Sequence, residues 1–267
     1  MAIPIPRDPA IDLEAVPRHW FAGNAVATAI TNGVNLLFPA GERFFVRSVN
    51  YYLDRITDET LRAQVKAFFK QEGHHARAHD RLNDVTRAHG YPIDPFLTKY
   101  ERISRWIESR VPAKLNLAGT AAAEHFTAIL ADGAFSKNLL DQLDPTMQEL
   151  LAWHAAEEIE HKSVAFDVLR TIDPSYALRV AGLVYATAML SSFWVWGTIM
   201  LLRHDKLSWA EIRRQLREAG RDPLITRVFA AGIRQYIRRD FHPRDNANEH
   251  LAREWFAAHG LPFTEAA

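Results

Sequence analysis

The chain has 267 residues, room for one large helical domain or for a bundle with an elaboration attached. Lysine plus arginine equal aspartate plus glutamate at 32 each, so no bulk charge draws it to nucleic acid or to an acidic surface, and no nucleic-acid partner is expected. Cysteine is absent, which excludes disulfides, thiolate metal sites and a cysteine nucleophile, and fits a reducing cytoplasm.

The first residues, Met1 to Trp20, carry Pro4, Pro6, Pro9 and Pro17 and lack the basic start and apolar run of a signal peptide. They read as an extended arm, taken to cover residues 1–30. Beyond it the apolar residues recur at three- and four-residue steps instead of alternating, so the expected fold class is all-α. Four segments carry the pattern most clearly, at about 35–56, 59–89, 115–141 and 145–171, and define a four-helix bundle over residues 31–172. Their ends are punctuated: Gly90 and Pro92 follow the second, Asp144-Pro145 opens the fourth and Asp173-Pro174 closes it. Residues 92–112 add a shorter amphipathic connector.

Residues 173–267 read as a C-terminal helical extension packed on the bundle. It begins with a run that is free of charge from Val180 to Leu202. By length that run could span a bilayer, but its serines, threonines and glycines equally fit a buried helix pair or a homodimer interface. A kink at Gly197 would divide it, and Phe193, Trp194 and Trp196 could wall an apolar pocket. Helices near 208–219, 222–240 and 247–259 follow, the first with Ser208 and Glu211 spaced as a capping box.

The chemistry lies on the four bundle stripes. On the second segment Leu61, Val65, Phe68, Glu72, His75, His79 and Leu82 share one helix face, so a glutamate and two histidines sit where leucines would normally be. The fourth repeats the arrangement as Met147, Leu151, His154, Glu158, His161, Ala165 and Val168. The first stripe is centred on Glu42 and the third on Glu124. Burying four carboxylates together costs about several kcal/mol per ion unless cations neutralise them. Dinuclear carboxylate bundles take one Glu from each of two helices and Glu-x-x-His from each of the other two. This chain supplies Glu42, Glu72-x-x-His75, Glu124 and Glu158-x-x-His161 in that order. His154, one turn before Glu158, is either a further ligand or a group that orients one. His79 is left between a ligand, a supporting donor and a core histidine. Glu157 and Glu160 point off the stripe, toward solvent or a supporting role, and His74 and His125 are read as structural.

With these residues in view, the chain resembles the bacterial family labelled predicted metal-dependent hydrolases, which belongs with ferritin-like proteins. The resemblance is carried by Phe38-Pro39-Ala40-Gly41-Glu42-Arg43-Phe44-Phe45, by Gln71-Glu72-Gly73-His74-His75 with His79, and by Trp153-His154 through Glu157-Glu158-Ile159-Glu160-His161-Lys162. It implies a ferritin-like bundle and a metal-dependent activity. A more distant similarity is to di-iron arylamine N-oxygenases of the p-aminobenzoate type, whose last metal helix also bears His-x-x-x-Glu-x-x-His, as His154, Glu158 and His161 do here.

The leading expectation is an oxidoreductase in which two metal ions, iron first and manganese or zinc as alternatives, activate dioxygen against a small apolar organic substrate, with an electron donor left unspecified. The second is a hydrolase that uses a metal-activated water. The third is iron storage, set last because storage ferritins are shorter and this chain devotes its last third to apolar and aromatic helices.

Overall fold

A computed structural model describes residues 2–136, 139–219 and 224–263. Among the described residues the fold is all-helical, with no strand; the two positions 137–138 of the third expected segment and 222–223 of the later one lie outside them. The helices are α1 (Ala25–Asn35), α2 (Phe38–Asn50), α3 (Glu59–Ala88), α4 (Asp94–Arg110), α5 (Ala113–Ser136), α6 (Pro145–His161), α7 (Val164–Ile172), α8 (Tyr176–Asp205), α9 (Trp209–Ala219), α10 (Leu224–Tyr236) and α11 (Glu249–Ala258).

The bundle closes as a ring in which α2 packs on α3, α3 on α6 and α7, these on α5, and α5 back on α2. Local chemistry sets where its helices begin. Asp58 caps α3 by accepting from Thr60 N and Leu61 N, and Asp144 caps α6 by accepting from Thr146 N, with Pro145 at the first helical position. Three of the four segments differ from their expected extent: the first, expected over 35–56, is helical as α2 only to Asn50 with a short 3-10 turn at Leu53–Arg55, and the third, expected over 115–141, is α5 to Ser136. The run over 145–171 is divided at Lys162 and Ser163, directly after His161. There the buried Lys162 ammonium is drawn to Asn246 O, Asn248 Oδ1 and Glu249.

The expected arm is shorter than residues 1–30, because Asn24 caps α1 by accepting from Ala27 N and Ala25 already lies in the helix. Nor is the arm loose: Ile11, Leu13, Val16 and Trp20 are buried in one cluster with Ala78, Leu82, Met147, Leu150 and Trp153. The periodicity signal is blind to such a segment, since an extended chain docked on helices has no fixed repeat.

Helix α8 continues unbroken through Gly197. Its inner face packs on α5 and α1. Gly182 makes this possible, because a Cβ there would lie 2.4 Å from the Ala118 backbone. Its outer face is bare, with Val184, Val195 and Ile199 exposed. By length and composition α8 could cross a membrane, a test that helices of soluble proteins also pass.

Candidate metal centre

The four bundle stripes converge as their polar centres require. Glu42 comes from α2, Glu72, His75 and His79 from α3, Glu124 from α5, and His154, Glu158 and His161 from α6. All eight are buried. Their donor atoms form four groups in which the atoms lie within 4.8 Å of one another: Glu42 with His79 and His154, His75 with His154 and Glu158, Glu42 with Glu72 and His75, and Glu72 with Glu124 and His161.

Two glutamates stand in the middle. Glu72 Oε1 lies 3.9 Å from His75 Nδ1 and 3.2 Å from His161 Nε2. Glu158 offers Oε1 to His75 Nδ1 at 3.5 Å and Oε2 to His161 Nε2 at 3.4 Å. Glu124 Oε2 is 3.3 Å from His161 Nε2, and Glu42 Oε1 is 3.9 Å from His154 Nε2. Both oxygens of Glu42, Glu72 and Glu124, together with His75 Nδ1 and His161 Nε2, have no hydrogen-bond partner although they are buried. Unpartnered donor atoms of this kind are costly in a dry interior, and cations placed among them remove the cost.

The histidines are held from behind. His75 Nε2 donates to Glu157 Oε2 at 3.0 Å, which leaves the Nδ1 lone pair facing the centre. His161 Nδ1 donates to Gln71 Oε1 at 3.0 Å, which leaves Nε2 facing inward. A second chain runs from Asn35 on α1. Asn35 Nδ2 donates to Asn83 Oδ1 at 3.1 Å, so its Oδ1 accepts from His79 Nδ1; His79 Nε2 then accepts from His154 Nδ1, the two histidine contacts each spanning 2.5 Å. This order of protons gives His154 Nε2 a lone pair aimed at Glu158 Oε1, 2.9 Å away. Two acceptors that close need a cation or a proton between them.

The electrostatics agree. Burial, then the neighbouring carboxylates, pushes Glu42 and Glu72 well above the usual 4.5 and Glu124 to about 7. Burial also opposes charge on Glu158, but His161 and His154 outweigh it and hold the acid low. Burial depresses His75 and His79, whereas Glu158 and Glu124 overcome it at His161 and raise that imidazole. Without cations the centre therefore favours protons on three of its four carboxylates.

The family model described as "predicted metal-dependent hydrolase" matches residues 5–247. The chain belongs to that family. In this metal-dependent hydrolase family member, the buried Glu and His groups fit bound metal ions by their donor set: neutral imidazole lone pairs and carboxylates, hard and borderline ligands suited to divalent first-row metals. Comparison with curated proteins and with solved structures gives no match, so the likeness to arylamine N-oxygenases rests on the spacing of the metal residues alone.

Several supporting groups of this family member escape the sequence reading. Glu157 is not among them, since a supporting role was one of its two expected readings; it is fully buried behind His75 rather than facing solvent. Gln71 and Thr127, whose Oγ1 donates to Glu158 Oε2, lie off the stripes, Asn35 ends α1 just ahead of the first stripe, and Arg7 belongs to the arm, which carries none. The only local hint is Gln71 immediately before Glu72. His74 and His125 are structural, His74 Nδ1 bonding Arg7 O at 2.6 Å and His125 Nε2 bonding Gly232 O at 2.9 Å.

An apolar pocket of about 140 Å³ opens beside the centre, walled by residues of α2, α4, α5 and α8, and Glu42 lines it. Of the three aromatic residues expected to wall such a pocket, Phe193 does so. Trp194 and Trp196 are corrected: Trp194 Nε1 donates to Ile30 O at 2.7 Å, and Trp196 packs edge-on against Phe96. On a helix, residues adjacent to Phe193 point elsewhere.

Proposed function

We propose that this protein is a dinuclear carboxylate enzyme of ferritin-like architecture that binds two metal ions, iron in the first place, and activates dioxygen to oxidise a small apolar organic molecule. Glu42, His75 and His154 would hold one ion, Glu124 and His161 the other, and Glu72 and Glu158 would bridge them. The observation that carries this reading is the set of unpartnered, buried donor atoms on Glu42, Glu72, His75, Glu124 and His161, opening onto an apolar pocket through Glu42. Four carboxylates balance two divalent cations, so the loaded centre would be close to neutral in a dry interior.

Bound metal ions would supply Lewis acidity and, if redox-active, electrons. The chain's own residues do the rest. Phe38, Phe45, Phe126 and Phe193 line the pocket and keep water from a substrate that lies against Glu42. Thr127 fixes one oxygen of Glu158, and the Asn35–His79–His154 chain fixes the proton on His154 Nδ1. Arg43, Arg47 and Arg105 line the same pocket and admit a molecule with a polar end.

The family description favours a second reading, hydrolysis with a metal-activated water, through the same ligands. Elemental analysis of purified protein, followed by turnover of apolar amines, alcohols and esters with and without oxygen, separates the two. Two irons per chain and oxygen-dependent turnover support the first. Zinc or manganese with oxygen-independent ester cleavage establishes the second and removes the first.

A further inference from the structure

The rear nitrogens of both central histidines lead to one side chain from the start of the sequence. His75 Nε2 bonds Glu157 Oε2, and Glu157 Oε1 accepts from the backbone N of Arg7 at 2.9 Å and from Arg7 Nη1 at 3.1 Å. His161 Nδ1 bonds Gln71 Oε1, Gln71 Nε2 donates to Glu160 Oε2 at 2.8 Å, and Glu160 accepts from Arg7 Nη1 at 2.9 Å and from Nη2 at 3.2 Å. The guanidinium thus closes two routes, one to each imidazole.

Arg7 is itself firmly placed. It is 7% exposed, its Cζ lies 3.5 Å from the Phe256 ring centroid, and Nη2 donates to Pro262 O. Its carbonyl takes the His74 contact, and Ile5 beside it accepts from Gln71 Nε2 at 3.3 Å. A buried arginine is costly unless paired, and here two carboxylates pair it. The reverse also holds: without Arg7, Glu157 and Glu160 would be buried acids with no cation. They would then turn toward water, which takes the acceptor from His75 Nε2 and releases Gln71, whose Oε1 is aimed at His161 Nδ1 by the Nε2 bond to Glu160.

Resting on the two-metal reading, we propose that Arg7 is a positioning residue of the metal centre. Through Glu157 and through Glu160 with Gln71, it sets the ring orientation and tautomer of His75 and His161. The strap that carries Arg7 is thus part of the site's supporting frame, whereas the Phe256 ring packs over the guanidinium from outside and takes no part in either route. The rival is a latch that only joins the two chain ends, stabilising the fold without bearing on the metals.

The two are separated by titrating metal-free full-length protein with Co(II), whose visible absorption bands report ligand geometry, and by recording Tm alongside. Wild-type protein should bind two ions. Arg7→Ala should weaken binding of at least one ion by about 10–100-fold and shift the bands. Arg7→Lys keeps the charge and should recover part of both effects. Phe256→Leu, which removes the ring from the guanidinium but leaves its ion pairs, should lower Tm with affinity and bands unchanged. Wild-type affinity and bands in Arg7→Ala overturn the proposal, whatever happens to Tm. If Arg7→Ala does not fold, Glu157→Gln tests the same link from its other side, and unchanged Co(II) binding there overturns it equally. A wild-type protein that takes up no Co(II) would instead remove the two-metal reading, and this inference with it.

Discussion

At one end of the centre Glu124 and His161 are closed in, with the Phe68 ring edge-on to the imidazole at 5.0 Å between centroids and Gln71 behind it. At the other end Glu42, His75 and His154 crowd together, His75 and His154 stacked at 4.2 Å, and Glu42 lines the apolar pocket. On the two-metal reading, the same set of three residues, one glutamate plus the Glu and His of a Glu-x-x-His, makes a closed position and an accessible one. The difference lies in the extra imidazole and in the pocket. It teaches that a symmetric ligand set in the sequence need not give two equivalent positions, since access is set by helices α4 and α8 outside the bundle ring.

The comparison breaks most completely if the shared glutamates are removed. Glu72→Ala or Glu158→Ala should abolish stoichiometric binding of two ions, because each faces both histidines; elemental analysis that still finds two metals per chain would defeat the bridging assignment. Removing a residue from one end should cost only that end. Glu124→Ala should leave one ion per chain at the pocket end, and Glu42→Ala one ion at the closed end. Loss of both ions in both variants would mean that the ends fill only together.

Much of this was legible in advance because burial on a helix is written as a period. Glu42, Glu72, His75, Glu124, Glu158 and His161 each occupy the centre of an apolar stripe, and the structure gathers them with His79 and His154. What stayed hidden has no period. Arg7 reaches the back of the centre from an extended strap, and Asn35 from the end of α1, a helix that the expected arm and the start of the first segment divided between them. Off-stripe positions are buried or exposed according to what packs there, and that is a tertiary fact. Trp194 and Trp196 erred in the opposite way, since an aromatic cluster in sequence is spread around a helix in space.

A smaller effect follows from pH. In the metal-free protein Glu42, Glu72 and Glu124 keep protons that the unfolded chain releases above 4.5, so the folded state loses stability as pH rises through their elevated values, about 7 for Glu124. His161 acts in the same direction, its contribution being present below 6.5 and lost as pH climbs past its raised value. His75 and His79, both depressed, oppose folding only below 6.5. Above pH 6.5 the signs therefore agree. Metal-free protein should lose Tm as pH rises above 6.5, while metal-loaded protein should not, because cations then replace the protons. Parallel Tm curves for the two forms would show that the carboxylates are not where the metals bind.

The finest distinction concerns His79, which stands behind His154 yet shares a metal-capable group with Glu42 and His154. With the proton order set from Asn35, His79 Nε2 is occupied as an acceptor and cannot ligate, while His154 Nε2 is free to do so. His154→Ala should then remove a ligand from the accessible end and weaken that ion by more than about 100-fold, with the closed end unaffected. His79→Ala should only release the ring of His154 and weaken the same ion by about tenfold. Competition titrations that resolve the two ions read both effects. Equal losses in the two variants would place His79 among the ligands and turn the accessible end into a position with three imidazoles, too crowded by nitrogen donors to resemble the closed end at all.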